Sequence, residues 1–188
     1  MNSGKGKYYT IEVTPTCHTS EVDDNDNLFL WTEIPNAIPR GHGSTSLLRK
    51  ITIMDADDNA ADVELYFAQT KDAAAAVTGA LGAATDMTNM TDAEISTLKP
   101  LFRHVVDVDQ MSRWNATDNI MYASTGDYAS SSTAAVANGL GYACYSFATA
   151  EQIGAGNANP GSIYFMGVAT ATKTYTASGL KFIFTFES

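Results

Sequence analysis

The three histidines are the first residues to consider for metal or acid–base chemistry. They are His18, His42 and His104, and they lie far apart in the sequence. Zinc sites use three or four ligands that usually recur at short spacings, such as two histidines at i and i+4 on one helix. None of these histidines has a second histidine or a carboxylate cluster at such a spacing. We therefore expect no metal site built on histidine.

Two clusters of aspartates are candidates for a calcium site, because Ca²⁺ prefers several oxygen ligands. The clusters are Asp23, Asp24 and Asp26, and Asp55, Asp57 and Asp58. A helix–loop–helix calcium site beginning at Asp55 would need glycine at position 60 and glutamate at position 66. The chain has Ala60 and Tyr66 at these positions. We interpret both clusters as solvated turns, with adventitious binding of a divalent cation as the alternative.

The sequence also lacks the patterns of a phosphate site or a catalytic nucleophile. The segment Gly41–Thr45 has two glycines but no lysine, and it precedes a predicted strand, so no helix dipole faces an anion there. No serine lies in the glycine-flanked strand–turn–helix pattern that exposes a hydrolase nucleophile. We predict no catalytic residue, no cofactor and no enzymatic activity. A hydrolase acting on a host surface polymer is the alternative within the enzyme class.

The two cysteines, Cys17 and Cys144, are far apart in the sequence, and each lies in a strand-like segment. Disulfides are rare in proteins that are made and kept in a reducing cytoplasm. We interpret both residues as reduced, inert thiols. A structural disulfide between them is the alternative.

The composition of the 188-residue chain fits one domain with its own core, since 45% of the residues are hydrophobic. The net charge of −10 has the wrong sign for binding nucleic-acid phosphates or an anionic membrane. We therefore expect neither as a partner. Charged residues make up only 17% of the chain, whereas about 25% is usual. Because interface cores are poor in charge, this composition favours packing against neighbouring molecules.

Short stretches of alternating apolar and polar residues recur along the chain, as expected for strands with one buried face. In the clearest stretch, Leu180, Phe182, Phe184 and Phe186 share one face, so we predict that this strand is central in its sheet. The turn-forming segment Asp55–Asn59 predicts a hairpin between the third and fourth strands. Nine strands are predicted, over residues 9–13, 28–34, 51–53, 63–67, 101–108, 119–123, 141–147, 163–168 and 180–186.

These strands predict an all-β fold, a single antiparallel β-sandwich that is jelly-roll-like. Two short helical insertions are predicted between residues 71 and 99, where Thr91 and Glu94 match a capping box and Pro100 ends the segment. We divide the chain into an N-terminal arm with the first strand, residues 1–27, and a β-sandwich domain, residues 28–188.

The order of several segments resembles that of a known family. The segments are Leu48–Asn59, Asp62–Phe67, Met90–Glu94, Val105–Val108 with Trp114, Ile163–Val168 and Thr174–Phe182. In this order they resemble tailed-bacteriophage virion structural proteins of the small capsid decoration, or cement, type. The resemblance covers residues 28–188. It lies in the order of strand and turn segments and includes no motif of catalytic or ligand-binding residues.

This resemblance implies a β-sandwich or jelly-roll module that lies on the outer capsid surface, cements neighbouring major capsid subunits and has no catalytic site. We therefore expect the major capsid protein as partner and the virion capsid surface as location, after synthesis in the host cytoplasm. The alternative is a tail- or fibre-associated module that binds a receptor or a glycan.

Arm lysines and strand aromatics are the candidate interface residues. The two arm lysines are the only Lys or Arg residues before position 40, and they can reach an acidic neighbour that the acidic body would repel. Half-exposed aromatic rings suit interfaces, because they supply contact area at low entropic cost. The candidates are Lys5, Lys7, Tyr8, Phe29, Trp31 and Tyr164. We also predict a homo-oligomer, a trimer or a dimer, formed through strand edges and apolar patches.

Overall fold

The computed structural model describes residues 7–38, 45–59, 61–69, 100–106, 112–113, 121–125, 142–145 and 161–188. These ranges contain ten strands and no helix. The strands are β1 (Tyr8–Val13), β2 (Asn27–Ile34), β3 (Thr45–Asp55), β4 (Val63–Ala68), β5 (Pro100–Val106), β6 (Ser112–Arg113), β7 (Met121–Thr125), β8 (Tyr142–Tyr145), β9 (Ile163–Ala169) and β10 (Leu180–Glu187). A search of the same ranges for a helix long and apolar enough to cross a membrane finds none.

The strands form two antiparallel sheets. The six-stranded sheet has the order β1-β10-β3-β7-β6, and β8 pairs with the first part of β3. The four-stranded sheet has the order β2-β9-β4-β5. The pairing is nested, since β1 pairs with β10, β2 with β9, β3 with β7, and β4 with β5. The predicted all-β, antiparallel fold is therefore confirmed.

Phenylalanine rings fill the space between the two sheets. On β10, Phe182 and Phe184 point inward and are fully buried. Both meet Phe165 of β9 edge-on, with ring centroids 5.1 and 4.9 Å apart, and such edge-to-face pairs stabilise a core beyond the area they bury. The sheets thus face each other as in a β-sandwich. The prediction that the last strand is interior is also confirmed, because β10 lies between β1 and β3.

The segment 56–62 joins the two sheets. The predicted hairpin is wrong, because β3 pairs with β10, β7 and β8, whereas β4 pairs with β5 and β9 in the other sheet. Asp and Asn residues do reverse the chain here, and Asp58 has a φ of 54°, a backbone region that Asp tolerates. Turn chemistry specifies a reversal but not which sheet receives the next strand.

β2 departs from the alternation that the sequence predicts. Leu28 and Phe29 are adjacent in the chain, yet both are buried in the core. The register between β2 and β9 shifts on both sides of Phe29, which marks bulges. Phe29 lies opposite Gly167, and a Cβ at that glycine would overlap the Phe29 ring. The missing side chain on β9 thus provides the space that the ring occupies.

The described part of the N-terminal segment, residues 7–27, packs on the sandwich. Cys17 and Val22 belong to the buried core, and Lys7 exchanges two backbone hydrogen bonds with Ser188, at 3.0 and 3.1 Å. The first strand is therefore an integral part of the six-stranded sheet. The helical insertions predicted between residues 71 and 99 lie outside the described residues.

Candidate functional site

β1 is the strand at one end of the six-stranded sheet, and among the described residues its outer edge is open. It pairs with β10 without a register shift. Lys7 and Ser188 exchange both backbone hydrogen bonds, so by antiparallel alternation the odd-numbered residues of β1 bond β10. The N–H and C=O groups of Tyr8, Thr10 and Glu12 consequently point to the other edge. In the ranges that the structure describes, no strand pairs with that edge.

The side chains along this edge are exposed. Tyr8 has a relative exposure of 62%, and Thr10 and Glu12 are also exposed. The Glu12 carboxylate is paired with the Lys181 ammonium of β10, with Nζ and Oε1 2.9 Å apart. Natural edge strands are often protected by proline, charged side chains or a bulge. β1 has neither proline nor a bulge, and the charged residues along the ladder are the exposed Lys7 at its start and Glu12. The edge is regular and nearly neutral.

The side chains on the face of β1 opposite to Tyr8, Thr10 and Glu12 hold the strand against the core. Tyr9, Ile11 and Val13 are half-buried and pack against the core cluster. The Tyr9 ring stacks on Phe186 at a centroid distance of 5.7 Å, and its hydroxyl donates to the carbonyl of Ala37 at 2.8 Å. The open edge is thus presented by a rigid strand, which lowers the ordering entropy lost when a partner binds.

A second polar cluster lies on β4 and β5, on the face of the four-stranded sheet away from the core. The Glu64 carboxylate accepts hydrogen bonds from both the Arg103 guanidinium and the Tyr66 hydroxyl, the latter at 2.9 Å. Burial and this hydrogen bond raise the pKa of Tyr66, so the phenol stays protonated. The three side chains satisfy one another's hydrogen-bonding groups. We interpret the cluster as a surface ion pair between Glu64 and Arg103, to which the Tyr66 hydroxyl adds a hydrogen bond.

The Asp55 carboxylate is structural rather than solvated, which corrects the sequence interpretation for this residue, whereas Asp23 and Asp24 of the other cluster are exposed. The Asp55 carboxylate is buried, at 1% exposure, and accepts hydrogen bonds from the backbone N–H groups of Asp57 and Asn59, both at 2.9 Å. The Asp57 carboxylate accepts from the backbone N–H of Thr176 at 2.7 Å. These bonds tie the crossing between the sheets to the chain that leads into β10. Over the described ranges, no three His, Cys, Asp or Glu residues are grouped for a metal ion.

The two histidines within the described ranges are separated in the fold as well as in the sequence. Burial lowers the pKa of His18, and Asp26 partly opposes this shift. Burial also lowers the pKa of His104, a residue of β5 that lies opposite Leu65 of β4. Both side chains are therefore neutral at neutral pH. His42 lies outside the described residues.

Cys17 is a free, buried thiol. Desolvation by burial raises its pKa to about 12, and the nearby charges of Asp57 and Asp55 add to the shift. The nucleophile in thiol chemistry is the thiolate, so Cys17 is inert in the folded protein, as the sequence predicts. Nothing is described of the Cys144 side chain.

We expect that a maleimide reagent does not modify Cys17 at pH 7.5 in the native state and does so rapidly in urea. The measurement is the labelling rate by mass spectrometry in a Cys144→Ser variant, which leaves one thiol. Native labelling as fast as that of the unfolded chain would contradict the burial and the pKa of this thiol.

The structure separates the predicted interface residues into exposed and buried ones. Lys7 and Tyr8 are exposed, and Lys5 lies outside the described residues. Phe29 and Tyr164 are buried, at 0% and 2% exposure, and are corrected to interior residues. Phe29 belongs to the sandwich core, and the neighbours of Tyr164 on β9, Met166 and Val168, form a second buried cluster.

Trp31 is half-buried and packs against that second cluster. Its Nε1 is buried without a hydrogen-bond partner among the described residues. The sequence analysis expected self-association through strand edges and named Tyr8 as a candidate interface residue, but it did not identify β1 as the strand with the open edge. That feature depends on which strand ends the sheet, and no residue pattern in β1 encodes it.

Comparison of the chain with known protein families, curated proteins and solved structures gives no match. The carboxylates of Asp55, Asp57 and Glu64 are engaged in structural hydrogen bonds, whereas the backbone groups on the outer edge of β1 are directed away from the sheet.

Proposed function

We propose that the protein is a non-enzymatic virion structural protein that decorates and stabilises a phage capsid by binding the major capsid protein. The observation that carries this proposal is the outer edge of β1, unpaired among the described residues, which can join copies into an oligomer and follows directly on the basic N-terminal arm, which can reach the capsid. An exposed strand edge is a template for β-augmentation, in which main-chain hydrogen bonds give affinity. A capsid cement needs such an adhesive element on a rigid module.

The strand order supports a jelly roll as the finer description of the fold. Leaving out β6 and β8, the described residues form eight strands, and the first pairs with the eighth, the second with the seventh, the third with the sixth and the fourth with the fifth. A long hairpin rolled into two sheets has this pairing. Jelly rolls are common among viral capsid and lectin domains, an argument by fold analogy that supports the function only indirectly.

The charge distribution supports a role for the arm. The chain has a net charge of −10, yet Lys5 and Lys7 are the only Lys or Arg residues before position 40. The arm can therefore approach an acidic surface that repels the body. On a capsid many copies bind a repeating lattice, so weak contacts per copy suffice when oligomers engage several sites. We include in the proposal a homo-oligomer located at the capsid surface.

Deleting residues 2–6 tests the proposed role of the arm. The deletion stops before Lys7, whose backbone bonds Ser188, so we expect an unchanged melting temperature. Capsid binding should weaken by about two- to tenfold at low salt, as for exposed ion pairs, and by less at high salt because the charges are screened. The measurement is co-sedimentation with capsids that lack the protein.

The matched control is Lys5→Ala, which keeps the arm length and removes the one lysine that the deletion removes. We expect it to reproduce most of the loss at low salt. A deletion that lowers the melting temperature by several degrees and leaves binding per folded molecule unchanged would contradict this role of the arm.

The alternative, a tail-associated receptor or glycan module, needs an aromatic ring with a face open to a sugar. Tyr66 packs against the cluster of Met166 and Val168, and the Arg103 guanidinium carbon lies 5.7 Å from its ring centroid. Trp31 packs on the same cluster. These two rings are partly covered, whereas the Tyr8 ring is exposed. The described aromatic residues therefore do not exclude the alternative, and the location of the protein on particles decides between the two.

A further inference from the structure

We propose that the open edge of β1 pairs with β1 of a second copy of the chain, antiparallel about a two-fold axis that passes beside Thr10. The inference deepens the homo-oligomer of the proposed function and rests on that part of it. It names the strand, the partner and the register. Since a two-fold contact of this kind uses the same edge on both copies, the assembly closes as a dimer.

The extent of the β1 ladder sets the register. The backbone bonds to β10 begin at Lys7, which pairs with Ser188, and the pairing continues to Val13. The midpoint of residues 7–13 is Thr10. Placing Thr10 opposite Thr10 of the partner's strand therefore engages the whole ladder, and a shift toward the C-terminus pairs residues beyond the end of β1.

The direction of the backbone groups agrees with this register. The outward N–H and C=O groups belong to the even-numbered residues, so Thr10 can form a hydrogen-bonded pair with its own copy. Tyr8 then pairs with Glu12 in both directions. With two bonds for each such pair, the contact has about six backbone hydrogen bonds.

The side chains along the edge are compatible with a second copy. The pairing sets the Tyr8 ring beside Glu12 and the stem of Lys7 beside Val13, and no two like charges lie directly opposite, an arrangement that would be destabilising. Tyr8, the more exposed of the two large hydrophobic side chains that are exposed among the described residues, becomes covered.

Charge explains why this edge, of all surfaces on an acidic chain, can meet its own copy. Although the net charge is −10, the charges around the edge are balanced. Glu12 is paired with Lys181, and Glu187 with Arg49, with Nε and Oε2 2.6 Å apart. The like-charge repulsion between two copies is therefore small at this edge.

Sedimentation velocity of the full chain tests the dimer, with Thr10→Pro as the variant and Thr10→Val as the matched control. Proline removes an N–H that points to the partner and takes no bond from β10, a position where an edge strand tolerates proline. We expect the wild type and Thr10→Val to sediment at about twice 20.1 kDa. Thr10→Pro should raise the dissociation constant by at least about tenfold.

A spin label at Thr10→Cys in the Cys144→Ser background tests the register, since the buried Cys17 does not react. The two labelled Cα atoms lie about 5.5 Å apart in a hydrogen-bonded pair, so we expect strong dipolar broadening. This measurement also decides the matter if Thr10→Pro fails to fold.

The inference is overturned by a wild type that is monomeric or trimeric at about 100 µM, or by a dimer without spin coupling. A monomer that still binds capsids would overturn the inference and leave the capsid function standing. A dimer that shows the expected spin coupling but does not bind capsids would support the inference and contradict the capsid function.

Discussion

Replacing Phe165 with alanine should lower the free energy of unfolding by about 3–5 kcal/mol, the cost of a cavity where a large aromatic side chain is deleted. Phe165 is fully buried on β9. Its ring centroid lies 4.9 to 6.1 Å from those of four other rings, those of Phe29, Phe67, Phe182 and Phe184. Because these rings come from both sheets, the cavity weakens the contact between the sheets. Urea unfolding followed by circular dichroism measures the change.

Phe102→Ala is the matched control, since it deletes the same group on β5, where the side chain is only half-buried. Its ring stacks on Phe67 at 4.4 Å, so we expect a smaller but measurable loss. A loss for Phe165→Ala no larger than that for Phe102→Ala would contradict the described packing of the sandwich.

Asp55→Ala should lower the free energy of unfolding by about 2–4 kcal/mol, because each buried donor left without an acceptor costs about 1–3 kcal/mol. The Asp55 carboxylate accepts from the backbone N–H groups of Asp57 and Asn59. These bonds shape the crossing between the sheets, which is also joined to the chain before β10 by the bond from the Ala56 N–H to the Gly179 carbonyl, at 2.8 Å. Thermal and urea unfolding measure the loss.

Asp55→Asn is the control for this prediction. The amide keeps the shape and one acceptor oxygen, whereas its NH₂ group faces a backbone donor, so we expect about half the loss of Asp55→Ala. If Asp55→Ala were neutral or stabilising, the carboxylate would be a solvated turn residue, as the sequence interpretation has it.

Period-two alternation predicted the strands whose two faces differ clearly. On β4, Val63, Leu65 and Phe67 are buried and Glu64 and Tyr66 are partly exposed, as the sequence predicts. The same reasoning misplaced Phe29, because a bulge and the missing side chain of Gly167 bring it into the core beside Leu28. Tyr164 was misplaced because β9 is buried on both faces. Alternation of apolar and polar residues indicates that one face of a strand is buried. It does not indicate whether the other face of the strand is buried as well.

Sheet membership and the open edge could not be predicted from residue patterns. The turn at Asp55–Asn59 is encoded locally, but its role as a crossing between sheets depends on the long-range pairing of β3 with β10. The same pairing places β1 at the end of the sheet. The sequence analysis selected Lys7 for its positive charge and Tyr8 for its aromatic ring. The backbone edge beside them is determined by the strand order of the sheet.

The number and position of copies on purified particles test the proposed function most directly. Quantitative mass spectrometry of the proposed phage particles, with labelled antibody fragments imaged by electron microscopy, gives both. For a cement that binds a repeating lattice, we expect on the order of hundreds of copies spread over the head. Absence from the particles, or a handful of copies confined to one vertex or to the tail, would contradict capsid decoration.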